Sequence, residues 1–166
     1  QPVGLMLDKS KGLVRGPELV TNGTFDAGLS GWTVYGGAVA SVVSDAGSNV
    51  LSLSAAGGSN NLNWPISIAA GKTIELTYSR RGVAAGSGLI GKIQVEYTDF
   101  SADTHPIADV VVSGAYEAVT WVLTLPKTAS KIRLLATTAS ADTVGTTYFD
   151  NISVRELPGN HATQPT

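Results

Sequence analysis

A chain of 166 residues that contains no cysteine has few ways to do chemistry. Thiolate nucleophiles, thiolate metal sites and disulfides are excluded. What remains is a small set of carboxylates, two histidines and a few cations. The most conspicuous carboxylate is Asp150, inside the strand-like stretch TTYFDNISVRE at 146–156. Alternation places Tyr148, Asp150, Ile152 and Val154 on one face, with Phe149, Asn151, Ser153 and Arg155 on the other. The first set is the more apolar and is predicted to face the core. A carboxylate in that position has to be hydrogen-bonded, paired, neutralised or bound to a metal.

Other candidates are weaker. GSGLIG, residues 86–91, spells the dinucleotide fingerprint, and with Lys92 it nearly spells a P-loop. Both chemistries need a helix directly after the glycines, and here a strand pattern comes next. DTHPIAD offers Asp103, His105 and Asp109 for a metal, but a solvated loop is the simpler reading. The acids Glu75, Glu96, Asp99 and Glu117 could supply a glycosidase pair, yet their positions look outward and ordinary. Arg80 and Arg81, near Lys92, could hold an anion. No G-x-S-x-G elbow occurs, and the second histidine, His161, lies in an aperiodic tail. An enzyme is therefore not expected.

These residues must be positioned by strands. Charged residues make up only 14% of the chain, and the 19 glycines fit a fold rich in tight turns. KTIELTYSR directs Ile74, Leu76 and Tyr78 inward, and KIQVEYT does the same with Ile93, Val95 and Tyr97. AVTWVLTLP groups Val119, Trp121, Leu123 and Leu125; SKIRLLAT groups Ile132, Leu134 and Ala136. LNWPISI groups Leu62, Trp64, Ile66 and Ile68, with Pro65 pointing to an edge or irregular strand. Shorter runs at 18–20, 31–35, 38–44 and 50–55 complete an all-β pattern of about nine to ten antiparallel strands, without a convincing helix, in a β-sandwich or barrel. The net charge of −2 and the lack of a basic cluster argue against nucleic acid. No apolar run is long enough to insert in a membrane. QPVGLMLDKSKG lacks the order of a secretory signal and reads as the edge of a longer polypeptide.

The opening GPELVTNGTFDAGLSGWTVYGG and the closing YFDNISVRE resemble the jelly-roll carbohydrate-binding modules of the family four, nine, sixteen and twenty-two type. The opening matches at Asn22, Gly23, Phe25, Gly31 and Trp32, and the ending at Tyr148, Phe149, Asp150, Asn151 and Val154. PISIAAGKTIELTYSRRG resembles a hairpin of that family and YEAVTWVLTLP a further strand, in the right order. The resemblance implies a non-catalytic glycan-binding jelly roll over 17–157, with 1–16 as a leader and 158–166 as a linker. It also implies a structural calcium ion held by Asp26 and Asp150 with backbone oxygens. The metal-free alternative for Asp150 is backbone N–H groups or an arginine such as Arg133. Sugar rings stack on exposed aromatics while polar side chains bond hydroxyls, which selects Tyr35, Trp64, Arg81, Gln94 and Glu96 as ligand-binding candidates. For Trp64, core packing is the competing reading.

The flanks PVGLMLDKSKGL and GNHATQPT resemble the two halves of a segment common in tailed-phage virion proteins. That resemblance implies a jelly roll inserted in a phage tail or other virion protein, adhering to bacterial surface polysaccharide or glycan. Its partners would be other virion proteins, and any homo-oligomer would form through the rest of the polypeptide. The alternative is a structural or assembly spacer of the virion without a glycan site.

Overall fold

The computed structural model describes residues 15–56, 60–84, 90–108, 115–137 and 144–158. The strands are β1 (Thr33–Tyr35), β2 (Val39–Asp45), β3 (Ser48–Ala56), β4 (Asn60–Ile68) and β5 (Thr73–Ala84). They continue as β6 (Ile90–Tyr97), β7 (Ala102–Thr104), β8 (Glu117–Thr124), β9 (Ala129–Thr137) and β10 (Val144–Glu156). Two five-stranded sheets form, ordered β1-β4-β9-β6-β7 and β2-β3-β10-β5-β8, with antiparallel pairing. The expected all-β sandwich of nine to ten strands is what the chain adopts.

The inward residues of the two sheets meet as one core. Leu62, Ile93, Val95, Ile132 and Leu134 come from the first sheet, and Leu51, Leu53, Ile74, Leu76 and Phe149 from the second. Each of these is fully buried, and a buried aliphatic or aromatic side chain of this size contributes roughly 1.5–3 kcal/mol. The run at 18–20 is not a strand. Gly16 N and Leu19 N donate to the Glu156 and Val154 carbonyls, but Pro17 between them has no N–H, and the Glu18 carboxylate takes the N–H of Val20 and shares that of Leu19. Glu18 also accepts from Ser153 Oγ, Val154 N and Arg155 Nε, so it fastens this segment to β10.

β10 departs from simple alternation. Between Asp150 and Ser153 it advances three residues while β5 moves two, from Ser79 to Thr77. The extra residue is a β-bulge, and Asn151 sits at φ 54 to accommodate it. The parity therefore reverses at this point. Phe149 and Thr147 point into the core, fully buried, whereas Tyr148 and Asp150 turn to the outer face, where Asp150 is covered and only 7% exposed. After the bulge Ile152 and Val154 are inside again. The expectation of a core-facing Tyr148 and Asp150 is thus corrected by one inserted residue.

The loop at 22–32 is organised by a single side chain. Asn22 Nδ2 donates to the carbonyls of Gly28 and Ser30, both at 3.0 Å, and Asn22 Oδ1 accepts from Ala27 N at 3.3 Å. The Asn22 carbonyl accepts from Trp32 Nε1 at 3.0 Å. Phe25 and Trp32 stack with centroids 5.5 Å apart, and Trp32 meets Trp64 edge-on at 5.1 Å. Gly23 lies against the bulge, where an added Cβ would come within 1.8 Å of the Ile152 carbonyl oxygen.

Candidate functional site

The outer face of the first sheet gathers polar side chains in rows across the strands. One row reads Thr33, Asn63, Arg133, Gln94 and Thr104, from β1 through β4, β9 and β6 to β7. A second, on the Tyr35 side, reads Tyr35, Asn61, Leu135 and Lys92. A third reads Pro65, Lys131, Glu96 and Ala102. This face is enclosed: Asn61 and Asn63 are each 8% exposed and Glu96 is fully buried. Yet Asn61 Oδ1, Asn63 Oδ1 and Arg133 Nε have no hydrogen-bond partner among the described residues. Buried polar atoms without partners are uncommon, and of those among the described residues all but Arg81 Nε and Thr147 Oγ1 belong to this surface. Gln94 Nε2 donates to Thr104 Oγ1 at 2.8 Å. Tyr35 projects at the rim, 65% exposed.

The expectation of an ordinary outward Glu96 is corrected. It is clamped by Lys131 Nζ at 2.7 Å and by Arg133 Nη2, the compensation a buried carboxylate requires. The other carboxylates are engaged locally. Glu75 pairs with Arg15, Glu117 with the buried Arg80, and Asp99 with Lys127. The Lys127 bond, with those from Ser101, lowers the Asp99 pKa to about 2. Arg80 also donates to the carbonyls of Gly91 and Ala108, which makes it a tie between the sheets.

Asp26 and Asp150 line one open pocket of about 270 Å³ with Thr24, Gly47, Ser48, Asn49 and Asn151. It lies where the 22–26 loop, the β2–β3 turn and the β10 bulge converge. Asp150 Oδ1 accepts from Asn151 N at 2.7 Å and Oδ2 from Asn151 Nδ2 at 3.0 Å. Asp26 accepts from Thr24 Oγ1 at 2.8 Å and Asn49 Nδ2 at 3.3 Å. Among the described residues neither carboxylate pairs with a lysine or arginine; Arg133 stands on the other sheet with Glu96. Burial pushes the Asp150 pKa up, the Asn151 N–H pulls against that, and the Asp26 charge adds to the rise. No group of three or more His, Cys, Asp or Glu residues converges among the described residues. The pocket nevertheless presents two carboxylates beside Thr24, Ser48, Asn49 and Asn151, oxygen-bearing side chains of the hard type that calcium takes.

The ligand-binding candidates divide between three places. Tyr35, Gln94 and Glu96 share the outer face of the first sheet, with Glu96 beneath its cations rather than open. Trp64 is in the core, 9% exposed, with Nε1 donating to the Leu19 carbonyl at 2.9 Å. Its ring is covered by Gly31, where an added Cβ would approach to 2.5 Å, so the core reading of this residue is the observed one. Arg81 is on the outer face of the second sheet, paired with Asp45 at 2.7 Å and 5.1 Å from the rings of both Tyr116 and Tyr148. There burial, and then the hydrogen bond to Asp45, raise the Tyr116 pKa. Asn61, Asn63, Thr104, Lys131 and Arg133 were not among the candidates. For Asn61, Asn63, Lys131 and Arg133 the signal was the polar alternate positions of NLN and KIR; Thr104 carried none.

Asp103 accepts from Tyr97 OH at 2.5 Å, and His105 Nδ1 lies 3.4 Å from Tyr78 OH, so DTHPIAD forms packing contacts; Asp109 lies outside the described residues. Residues 85–89, with most of the glycine-rich stretch, also lie outside them, and the segment that succeeds it is β6, not a phosphate-binding helix.

The two-sheet antiparallel sandwich is a fold that this chain shares with solved carbohydrate-binding modules. Residues 17–143 match the family described as "Carbohydrate binding domain" (CBM_4_9), and the chain belongs to that family. Among solved structures, the CBM22-1 xylan-binding domain from Paenibacillus barcinonensis Xyn10C is similar, with a TM-score of 0.65 at 16% identity. That match covers 87% of this chain and 97% of that one. A "Family 16 Carbohydrate Binding Module-2" gives 0.59 at 20% identity, covering 82% and 98%. The enzymatically active domain of bacteriophage CBA120 tailspike protein 4 gives 0.62 at 17% identity, covering 84% of this chain and 21% of that one. At these identities the likeness is one of fold. No curated protein matches the chain.

Proposed function

We propose that this chain is a non-catalytic glycan-binding module of a phage tail or other virion protein, and that it adheres to bacterial surface glycans through the outer face of its first sheet. The observation that carries this reading is the convergence of Asn61, Asn63, Gln94, Thr104, Lys131 and Arg133, with orphaned polar atoms, beside the exposed ring of Tyr35. Sugar hydroxyls both donate and accept, so they suit a mixed set of amides, hydroxyls and cations. Membership of a carbohydrate-binding family supports the ligand class. The virion setting draws support from the phage-like flanks, which lie almost wholly outside the described residues, and from the shared fold of one tailspike domain. Calcium in the Asp26–Asp150 pocket would hold the 22–26 loop on the bulge of β10.

The test is titration of the chain with bacterial lipopolysaccharides and capsular glycans. Tyr35→Ala and Gln94→Ala each weaken binding about fivefold or more, the loss of roughly one hydrogen bond or stacking contact. Val122→Ala, on the outer face of the second sheet, leaves it unchanged. Absence of binding at millimolar sugar refutes the proposal and favours a structural spacer. The burial of Trp64 supports that second reading, since it leaves Tyr35 as the one aromatic on the face among the described residues.

A further inference from the structure

Among the described residues the charges on this face do not balance, and the imbalance bears on which glycans it takes. Lys131 and Arg133 stand two apart on β9 and flank one carboxylate, Glu96, on the neighbouring β6. Two cations against one anion leave a surplus positive charge. Lys92 projects from the same face and has a partner of its own. The outward positions of β1, β4 and β7 add Thr33, Tyr35, Asn61, Asn63, Pro65, Ala102 and Thr104, none of them charged. Asp103 of β7 turns the other way, to the Tyr97 hydroxyl.

Hydrogen bonding is unbalanced too. Glu96 is in ion-pair contact with both cations. An ammonium carries three N–H donors and a guanidinium five, so one carboxylate cannot use them all, and Arg133 Nε is buried without an acceptor among the described residues. Both cations remain reachable, with 31% and 27% of their side chains exposed. A guanidinium presents a planar fork that matches carboxylate and phosphate oxygens in pairs. Enclosure strengthens such a contact by lowering the local dielectric. The chain as a whole carries −2, so the positive field is a local property of this face.

We propose that the outer face of the first sheet selects glycans bearing anionic groups, carboxylate or phosphate, which Arg133 binds with help from Lys131. This rests on the glycan-binding function proposed for the chain and names the ligand class for that same face. The shared chemistry is an oxyanion on a sugar chain, and the two sources are separated by experiment.

The intact chain is applied to an array of bacterial surface polysaccharides, including uronic-acid capsules and glycerol-phosphate teichoic acid. Each is printed in its native form, beside a carboxyl-reduced or dephosphorylated form. Expected is a preference of about tenfold or more for native over neutralised forms, weakening between about 50 and 300 mM salt. Which pairs show it, the uronic or the phosphate ones, identifies the anion. Arg133→Lys keeps the charge beside Glu96 and so the fold, checked by an unchanged melting temperature, but loses the fork and most of the preference. Equal binding of both forms, or no effect of Arg133→Lys on preference, overturns the anion inference while leaving glycan binding intact. Binding to no glycan in either form overturns both.

Discussion

Calcium and Asp150 offer the sharpest perturbation. In the metal-free chain, Asp150 is a carboxylate whose ionisation is opposed by burial and by Asp26, with no cation among the described residues to offset either. Its raised pKa means that the ionised form lowers folding stability above that pKa, and that protonation or metal binding relieves the cost. A divalent ion bound only by the folded chain stabilises it by about 2.7 kcal/mol at a hundred times its dissociation constant. For a site with an affinity of about 0.1 mM, in the range of extracellular modules, about 10 mM calcium reaches that ratio. In a domain of this size each kcal/mol is worth roughly 2–4 °C, so the melting temperature rises by about 5–11 °C. Asp150→Asn keeps an oxygen to accept the Asn151 N–H but removes the charge. The variant should melt higher than the wild type in chelator and should lose most of the calcium response. The assay is thermal melting of both chains in chelator and in calcium, on samples shown to be metal-free at the start. A wild-type melting temperature indifferent to calcium refutes the reasoning, and so does an Asp150→Asn chain less stable than wild type in chelator.

Two further expectations concern the scaffold. Gly23→Ala places a Cβ 1.8 Å from the Ile152 carbonyl oxygen, a clash with backbone, so it should cost at least about 3 kcal/mol in urea unfolding. A cost under about 1 kcal/mol would mean that the loop and bulge are not in contact in solution. Stability should also fall with pH in two stages. Burial, then Arg80 and Lys92, lower the His105 pKa from 6.5, so the unfolded chain binds this proton more readily and stability is lost as pH falls below about 6.5. Burial works against ionisation of Glu18, but its bonds from Ser153, Val154 and Val20, with Arg155 nearby, hold its pKa below 4.5. Its contribution is present above that value and is lost as the pH drops through the folded pKa. Urea midpoints from about pH 8 to pH 3 check this, with His105→Asn removing the upper stage alone.

The alternation of β5, β6, β8 and β9 was plain in the residues because each strand buries one face and wets or encloses the other. Ile74, Leu76 and Tyr78, or Ile93, Val95 and Tyr97, can occupy only one side of a sheet. Two kinds of information were not written locally. β7 is three residues of modest character, Ala102–Thr104, that become a strand only because Gln94 to Glu96 supply a partner. And the polar face depends on β4, β9 and β6 being neighbours although they are far apart in the chain. Asn61 and Asn63 read as outward residues of one strand, and Lys131 and Arg133 as outward residues of another. Nothing short of the sheet order joins them to Gln94 and Glu96. Trp64 was ambiguous for the opposite reason: an indole suits either a core or a sugar platform, and it took Gly31 and Leu19 to decide between them.

The fate of Asp150 shows how two short motifs can be one physical object. Asn-Gly at 22–23 and Asp-Asn at 150–151 stand near opposite ends of the described chain. Gly23 is needed because Ile152 leaves no room for a side chain, and Ile152 N donates to the Gly23 carbonyl at 3.0 Å. Ile152 stands there because Asn151, in the left-handed region that asparagine tolerates better than most residues, inserts the extra position. Without that insertion Phe149 and Ile152 could not both face the core, and Asp150 could not turn outward beneath the loop that carries Asp26. The bulge thus converts a buried-carboxylate problem into a pocket with two carboxylates. It leaves the opposite sheet, whose own buried carboxylate is already clamped by Lys131 and Arg133, to present the polar face.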